Sequence, residues 1–261
     1  MDGHDILYDI ILSLVIAGIT FLATCGWKAI KKRRLLRRLA KCFGKGAHSV
    51  GNVYLCLPLL SLIATSRNEC RFEKRDFTGD TYSFFGPSKT LSYQDVQAGQ
   101  EVASIFNEFF SDPMEMIFDD GVKDLEDKTV FFIGSPISNF FVKHLFERLR
   151  QPFIDFLDQE ETDEHKAAIG FIDLIDNKIY DSGGANEYSV IIRMSNPESE
   201  GNYFFVLCGA HAAGTFAAAR YLKRNWSEFK SAEDAAVIVL GMPRGCYQLA
   251  QVERRHGFGD S

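Results

Sequence analysis

Three glycine-bearing stretches hold the residues of this chain whose type and setting could do chemistry. The first is Gly134-Ser135-Pro136-Ile137-Ser138-Asn139, which breaks an apolar run and precedes a helical stripe. Glycine lets a ligand approach the backbone, Ser135 offers a hydroxyl, and Ser138 or Asn139 can cap the following helix. The second is Cys208-Gly209-Ala210-His211-Ala212-Ala213-Gly214-Thr215. His211 is the best-placed titratable group in it, on a loop where a general base or a phosphate contact would be useful. The third is Gly241-Met242-Pro243-Arg244-Gly245, whose arginine could clamp a phosphate or carboxylate through two hydrogen bonds. The expected ligand-binding set is therefore Gly134, Ser135, Asn139, Gly209, Gly214, Thr215 and Arg244, with His211 as the candidate acid or base. Each stretch also has a plainer reading, since Gly, Ser, Pro and Asn are what any strand-to-helix turn needs.

Other chemistries are excluded or weakly supported. The G-x-x-x-x-G-T spacing from Gly209 lacks the lysine before Thr215 that pairs with nucleotide phosphates, so a P-loop reading fails. No H-E-x-x-H, G-x-S-x-G or dinucleotide G-x-G-x-x-G motif is present. The six cysteines form no C-x-x-C pair and no metal-ligand spacing, which suits a reducing compartment. A Cys208–His211 nucleophile pair is conceivable, but Cys208 ends an apolar strand and reads better as core. Asp119, Asp120, Asp173 and Asp181 lie near strand ends without a paired spacing. Asp181-Ser182-Gly183-Gly184 reads as a flexible loop that could act as a lid. No motif names a cofactor.

Alternating strands and helices must position these stretches. Thr129–Ile133 reads as a buried strand, followed by a helix with a stripe at Phe141, Leu145 and Leu149. Asn52 to Leu62 reads as the first core strand running into a loop; a second membrane pass is the rival, disfavoured by length and by Pro58. Ser92-Tyr93-Gln94-Asp95 matches a capping box before a helix with Val96, Val102, Phe106 and Phe109 on one face. Met114 to Phe118 is a short strand, and the acidic stretch 151–168 is expected to be helical. Asp176-Asn177 marks a hairpin, strands follow at 189–194 and 203–207, then a helix at 214–226 and a final strand at 235–240. The polar tail from Gln251 is expected to fray. The pattern predicts an α/β domain with a mixed, mainly parallel sheet. In such a sheet the loops after parallel strands emerge at one edge, so the three stretches are expected to converge there.

The N-terminal segment differs in character. Ile10 to Trp27 holds 18 residues without a charge, about 27 Å of helix and just enough to span a bilayer. Nine Lys/Arg follow within residues 28–45, against three Asp before the run, so residues 1–45 carry +6 and the rest −12 of the total −6. The positive-inside rule places the N-terminus outside and the following domain in the cytoplasm of a single-pass cell-membrane protein. Ile30, Leu35, Leu36, Leu39 and Phe43 recur at helical spacing among the basic residues, a stripe suited to lying against anionic headgroups. Gly44-Lys45-Gly46 reads as helix end and linker, and Cys42 is a site open to acylation. The expected organisation is a span at 1–30, a basic helix and linker at 31–48 and a soluble domain at 49–261. The acidic domain is a poor nucleic-acid partner, because phosphate neutralisation needs a basic face. Oligomeric state is not legible.

The series strand–GSPISN–helix, EYSVIIRMSNP and FFVLCGAHAAGTFAAARYL, over about residues 128–222, resembles a group of prokaryotic Rossmann-like proteins with no assigned activity. VYLCLPL at Val53 to Leu59 is similar to the opening strand of nucleoside deoxyribosyltransferases, but the catalytic glutamate of that family has no matching position here. The expectation is a membrane-tethered Rossmann-like domain that binds a nucleotide or related anionic small molecule, as sensor or effector. Two alternatives stand beside it: a nucleotide-processing hydrolase or glycosyl-transferring enzyme using His211, and a protein-interaction module without a ligand.

Overall fold

The computed structural model of the chain describes residues 3–58, 61–66, 69–73, 92–110, 112–119, 125–136, 138–149, 152–157, 170–181 and 184–259. One helix, α1 (Gly3–Phe43), occupies the whole N-terminal segment. Among the described residues it is the helix long and apolar enough to cross a membrane, and its apolar side chains, Phe21 and Leu22 among them, stand exposed.

Seven strands form the central sheet: β1 (Val53–Leu57), β4 (Glu115–Phe118), β5 (Thr129–Ile133), β9 (Asn186–Ser195), β10 (Tyr203–Gly209), β11 (Ala232–Pro243) and β12 (Gln251–Phe258). Their order is β12-β11-β9-β10-β5-β1-β4. The β4, β1, β5 and β10 end is parallel, and the β10, β9, β11 and β12 end is antiparallel. The sheet is thus mixed as expected, but evenly divided rather than mainly parallel. Two hairpin-type reversals, β9–β10 and β11–β12, account for the difference.

Both faces of the parallel strands are covered, which is why Thr-Val-Phe-Phe-Ile reads as a continuous apolar run rather than an alternation. One face packs α2 (Tyr93–Asn107) and α4 (Ala212–Asn225) through Ala98, Val102, Ala218, Ala219 and Leu222. The other packs α3 (Phe140–Arg148) and a small sheet of β6 (Ile154–Phe156), β7 (Gly170–Asp173) and β8 (Ile179–Asp181). A separate hairpin pairs β2 (Ser61–Ser66) with β3 (Glu69–Glu73). Residues 154–156 are therefore strand where helix was expected; residues 158–169 lie outside the described residues. Ile154 and Phe156 alternate around Asp155, and strand pairing with Asp173 and Phe171 overrides the acidic composition.

The tail from Gln251 does not fray. It pairs with β11 as an edge strand whose charged side chains find partners on both faces. His256 Nε2 lies 2.7 Å from Asp173 Oδ2, and Arg254 engages Asp173 and Asp176. On the opposite face Arg255 pairs with Glu228 at 2.8 Å. Burial pushes the Asp173 carboxyl up, but hydrogen bonds from His256 and the Ile175 amide outweigh it and hold the pKa below the usual range. These contacts lock the small sheet to the edge of the large one, and charges of this kind also keep an edge strand from pairing with other chains.

The last turns of α1 belong to the core rather than to a linker. Leu39, Cys42 and Phe43 are fully or almost fully buried. The Phe43 ring meets Phe106, Phe131 and Phe205 at centroid distances of 5.3–5.4 Å and Trp226 at 5.9 Å. Thr129 Oγ1 donates to the Phe43 carbonyl, Lys45 N–H donates to Gly201 O, and Gly44 bridges to Asn202. The apolar stripe of the basic segment thus divides by depth, its last turns turning into protein. Burial makes Cys42 inaccessible to acylation and pushes its thiol up to about 11.

A chain starting at residue 31 keeps Leu36 to Phe43 and is expected to unfold cooperatively in urea. A chain starting at residue 49 loses the Phe43 plug and is expected to aggregate or unfold at markedly lower urea. In the longer chain, Phe43→Ala should cost about 3–5 kcal/mol.

Candidate functional site

β5 and β10 are adjacent and parallel, so the turns that leave them emerge side by side. Gly134 N–H, just past the end of β5, donates to Leu207 O of β10 at 2.9 Å. Gly134 holds φ +97°, a backbone geometry that glycine adopts without steric cost. The chain then turns through Ser135 and Pro136 into α3 on one face of the sheet. From Gly209 the chain turns through His211 into α4 on the other face. Two neighbouring parallel strands whose connections leave to opposite faces make a topological switch point, where an open sheet leaves a crevice at its C-terminal edge.

The start of α4 is built on close backbone contact. A Cβ added to Gly209 would lie 2.5 Å from the Cα of Gly214, so neither position tolerates a side chain without displacement. Thr215 Oγ1 accepts from Gly209 N–H at 3.2 Å, and the His211 carbonyl accepts from Gly214 N–H and Thr215 N–H. The His211 ring is exposed and caps nothing. Ser189 faces Gly209 in register and lies under Gly214; its buried hydroxyl has no hydrogen-bond partner among the described residues.

At the start of α3, Asn139 is fully committed to the turn. Its Oδ1 accepts from Val142 N–H and its Nδ2 donates to Ile133 O at 2.9 Å. Ser135 accepts from the Ser138 and Asn139 amides through its carbonyl, while its nearly buried hydroxyl makes no hydrogen bond among the described residues. Asn139 and Thr215 therefore hold the two turns, and Ser135 and His211 present unused polar groups.

Arg244 reaches the same edge by a different route. Pro243 of β11 pairs with Asn186 of β9, and Arg244 N–H donates to Ala185 O. β11 lies two strands from β10, a spacing of about 10 Å, and Glu187 stands 3.7 Å from the Arg244 guanidinium. The third stretch shares the edge but sits two strands from the switch point, with its charge already matched by Glu187. Cys208 is fully buried, and burial pushes its thiol far above the ordinary value, which leaves no thiolate for a Cys208–His211 pair. Of the loop Asp181 to Gly184, Ser182 and Gly183 lie outside the described residues, as does Asp120.

The sequence reading missed one titratable group at this edge. Asp95 is 4% exposed in the first turn of α2, one turn above Gly99, which packs on Leu55 and Leu57 near the end of β1. Burial raises its carboxyl to about 6, partly opposed by a hydrogen bond with Ser92. Its place in the capping box concealed it, since Ser92 Oγ does accept from Asp95 N–H at 3.4 Å. Asp119, also buried, closes the end of β4, its N–H donating to Leu57 O.

No family model, curated protein or solved structure matches the chain. The geometry alone carries the functional reading.

A carboxyl whose folded pKa is raised makes the folded state lose stability as pH climbs from its unfolded value, about 3.8, through about 6. Urea titrations of the Asp95→Asn protein across pH 4–7 should lack that part of the slope. The difference is on the order of 2–3 kcal/mol at neutral pH. An unchanged slope would place Asp95 in water.

Proposed function

We propose that this chain is a membrane-anchored, Rossmann-like domain that binds a nucleotide or related small anion in the crevice between the starts of α3 and α4. The observation that carries the reading is the Gly134–Leu207 pairing, which sets the two glycine turns together at a switch point. Each helix start carries roughly half a positive charge from its first-turn backbone N–H groups. The unpaired Ser189 hydroxyl supports the same reading. A buried hydroxyl without a partner costs about 1–3 kcal/mol, which a group seated at the start of α4 would recover. Asp95 brings a carboxyl to the same edge, which disfavours a polyphosphate. A single phosphate or carboxylate at the helix starts, with hydroxyls or ring amines toward that carboxyl, fits the charge distribution better.

In this reading α1 spans the membrane with the domain on the cytoplasmic side, as the basic residues after Trp27 require. Its end meets the beginnings of β5 and β10, whereas the crevice lies at their far ends. A seven-residue strand separates the two by about 20 Å, so the ligand enters from the aqueous phase. Asp95 favours one alternative: a carboxyl titrating near 6 beside His211's helix start suits general acid–base work in a nucleotide-processing enzyme.

Full-length protein in nanodiscs, screened against nucleoside monophosphates, cyclic mononucleotides and nucleosides, should gain several degrees in Tm with a mononucleotide at saturating concentration. His211→Ala and Ser135→Ala should each weaken that binding about tenfold or more while leaving the ligand-free Tm within a degree or so. Turnover of the stabilising ligand that disappears in Asp95→Asn would select the enzyme. No shift with any of these compounds, or mutants that lose stability instead of binding, would refute the proposal.

A further inference from the structure

Basic residues ring α1, and three of them border one cavity. Trp27, Ile30, Lys31, Arg34, Leu35 and Arg38 line a shallow cavity of about 220 Å³ on one flank. At 100° per residue these six fall within a sector of about 140°. Leu36, Leu39 and Phe43, which enter the protein core, point away from that sector. The cavity therefore faces outward, beside the domain and directly below the apolar run that ends at Trp27. Lys31, Arg34 and Arg38 form no ion pair among the described residues, whereas Arg244, Arg254 and Arg255 on the domain each meet a carboxylate. Three unmatched cations thus converge on a pocket whose remaining lining is an indole and two aliphatic side chains.

We infer that this flank is a binding site for a single anionic phospholipid of the cytoplasmic leaflet. The inference rests on α1 spanning the membrane and is independent of the ligand proposed for the sheet edge. The chemistry selects a lipid over a free phosphate. Lys31, Arg34 and Arg38 match a phosphate group, and arginine binds it through two parallel hydrogen bonds. Trp27 is the residue type that sits at the membrane–water boundary, and Ile30 and Leu35 offer apolar contact to the glycerol and upper acyl chains. A free anion would use the cations and leave that apolar lining wet. The site differs from general attraction of a basic segment to a charged surface, which depends on the number of cations and not on their side of the helix. Here Lys28, Lys32 and Arg33, which lie outside the cavity's sector, are dispensable.

The test compares two charge-matched variants of the full-length protein, K31Q/R34Q/R38Q and K28Q/K32Q/R33Q. Each is reconstituted in phosphatidylcholine nanodiscs carrying a minor share of phosphatidylglycerol, released into mild detergent and weighed by native mass spectrometry. The wild-type protein is expected to retain one phosphatidylglycerol. The first variant should lose at least about tenfold of that occupancy and the second should stay within about twofold of wild type. Equal loss in both variants, retention in both, or an adduct with the mass of inorganic phosphate would overturn the inference. Alkaline carbonate extraction of the wild-type protein from membranes reads the span separately. Protein that stays in the pellet but shows no flank-specific lipid refutes the lipid site alone, and protein that is extracted refutes the span on which the site rests.

Discussion

The parallel pairing of β5 with β10 is the constraint on which the rest of this molecule depends. It places Val130 to Ile133 against Phe204 to Leu207 in register, and the Gly134 amide extends the ladder one residue into the turn. Were the two strands antiparallel, the starts of α3 and α4 would lie at opposite edges. The same pairing builds the base of the domain, because Phe131 and Phe205 stack at 5.0 Å and together form the floor on which Phe43 sits. One pair of strands thus carries the socket for the end of α1 at its lower end and the candidate site at its upper end.

That arrangement turns α1 from a tether into a structural member. A flexible linker would let the domain tumble, whereas an unbroken helix whose final residue, Phe43, packs against four aromatic rings fixes the domain to the N-terminal apolar run. Phe43 touches Phe106 near the end of α2 and Trp226 just beyond α4, the two helices whose first turns carry Asp95 and His211. A tilt of α1 would be felt at the lower ends of both helices, and a ligand that orders their upper ends would bear on the same packing.

Much of this was legible in the sequence because local and global demands coincide there. Val130–Ile133 is apolar at every position since both faces are covered, Ser92 and Asn139 cap helices with the side chains that caps require, and the glycine turns mark the strand ends. What stayed hidden is what the same letters can do in two ways. Leu36, Leu39 and Phe43 make the same amphipathic stripe whether they meet lipid or protein, and only the aromatic floor decides. Asp95 looks like a capping residue because it is one, and its burial comes from α2 packing on β1. Gln251–Phe258 is polar because its partners, Asp173 and Glu228, come from distant segments. The parallel half of the sheet follows from pairings across more than fifty residues, which periodicity does not record.

The most direct test of the shared crevice is hydrogen–deuterium exchange of the full-length protein with and without the mononucleotide that stabilises it most. Slowed exchange should appear together in peptides covering residues 129–142 and 205–218, since both turns would donate amides to one ligand. Protection confined to one of the two, or centred on the small sheet or α1, would contradict a common site at the switch point.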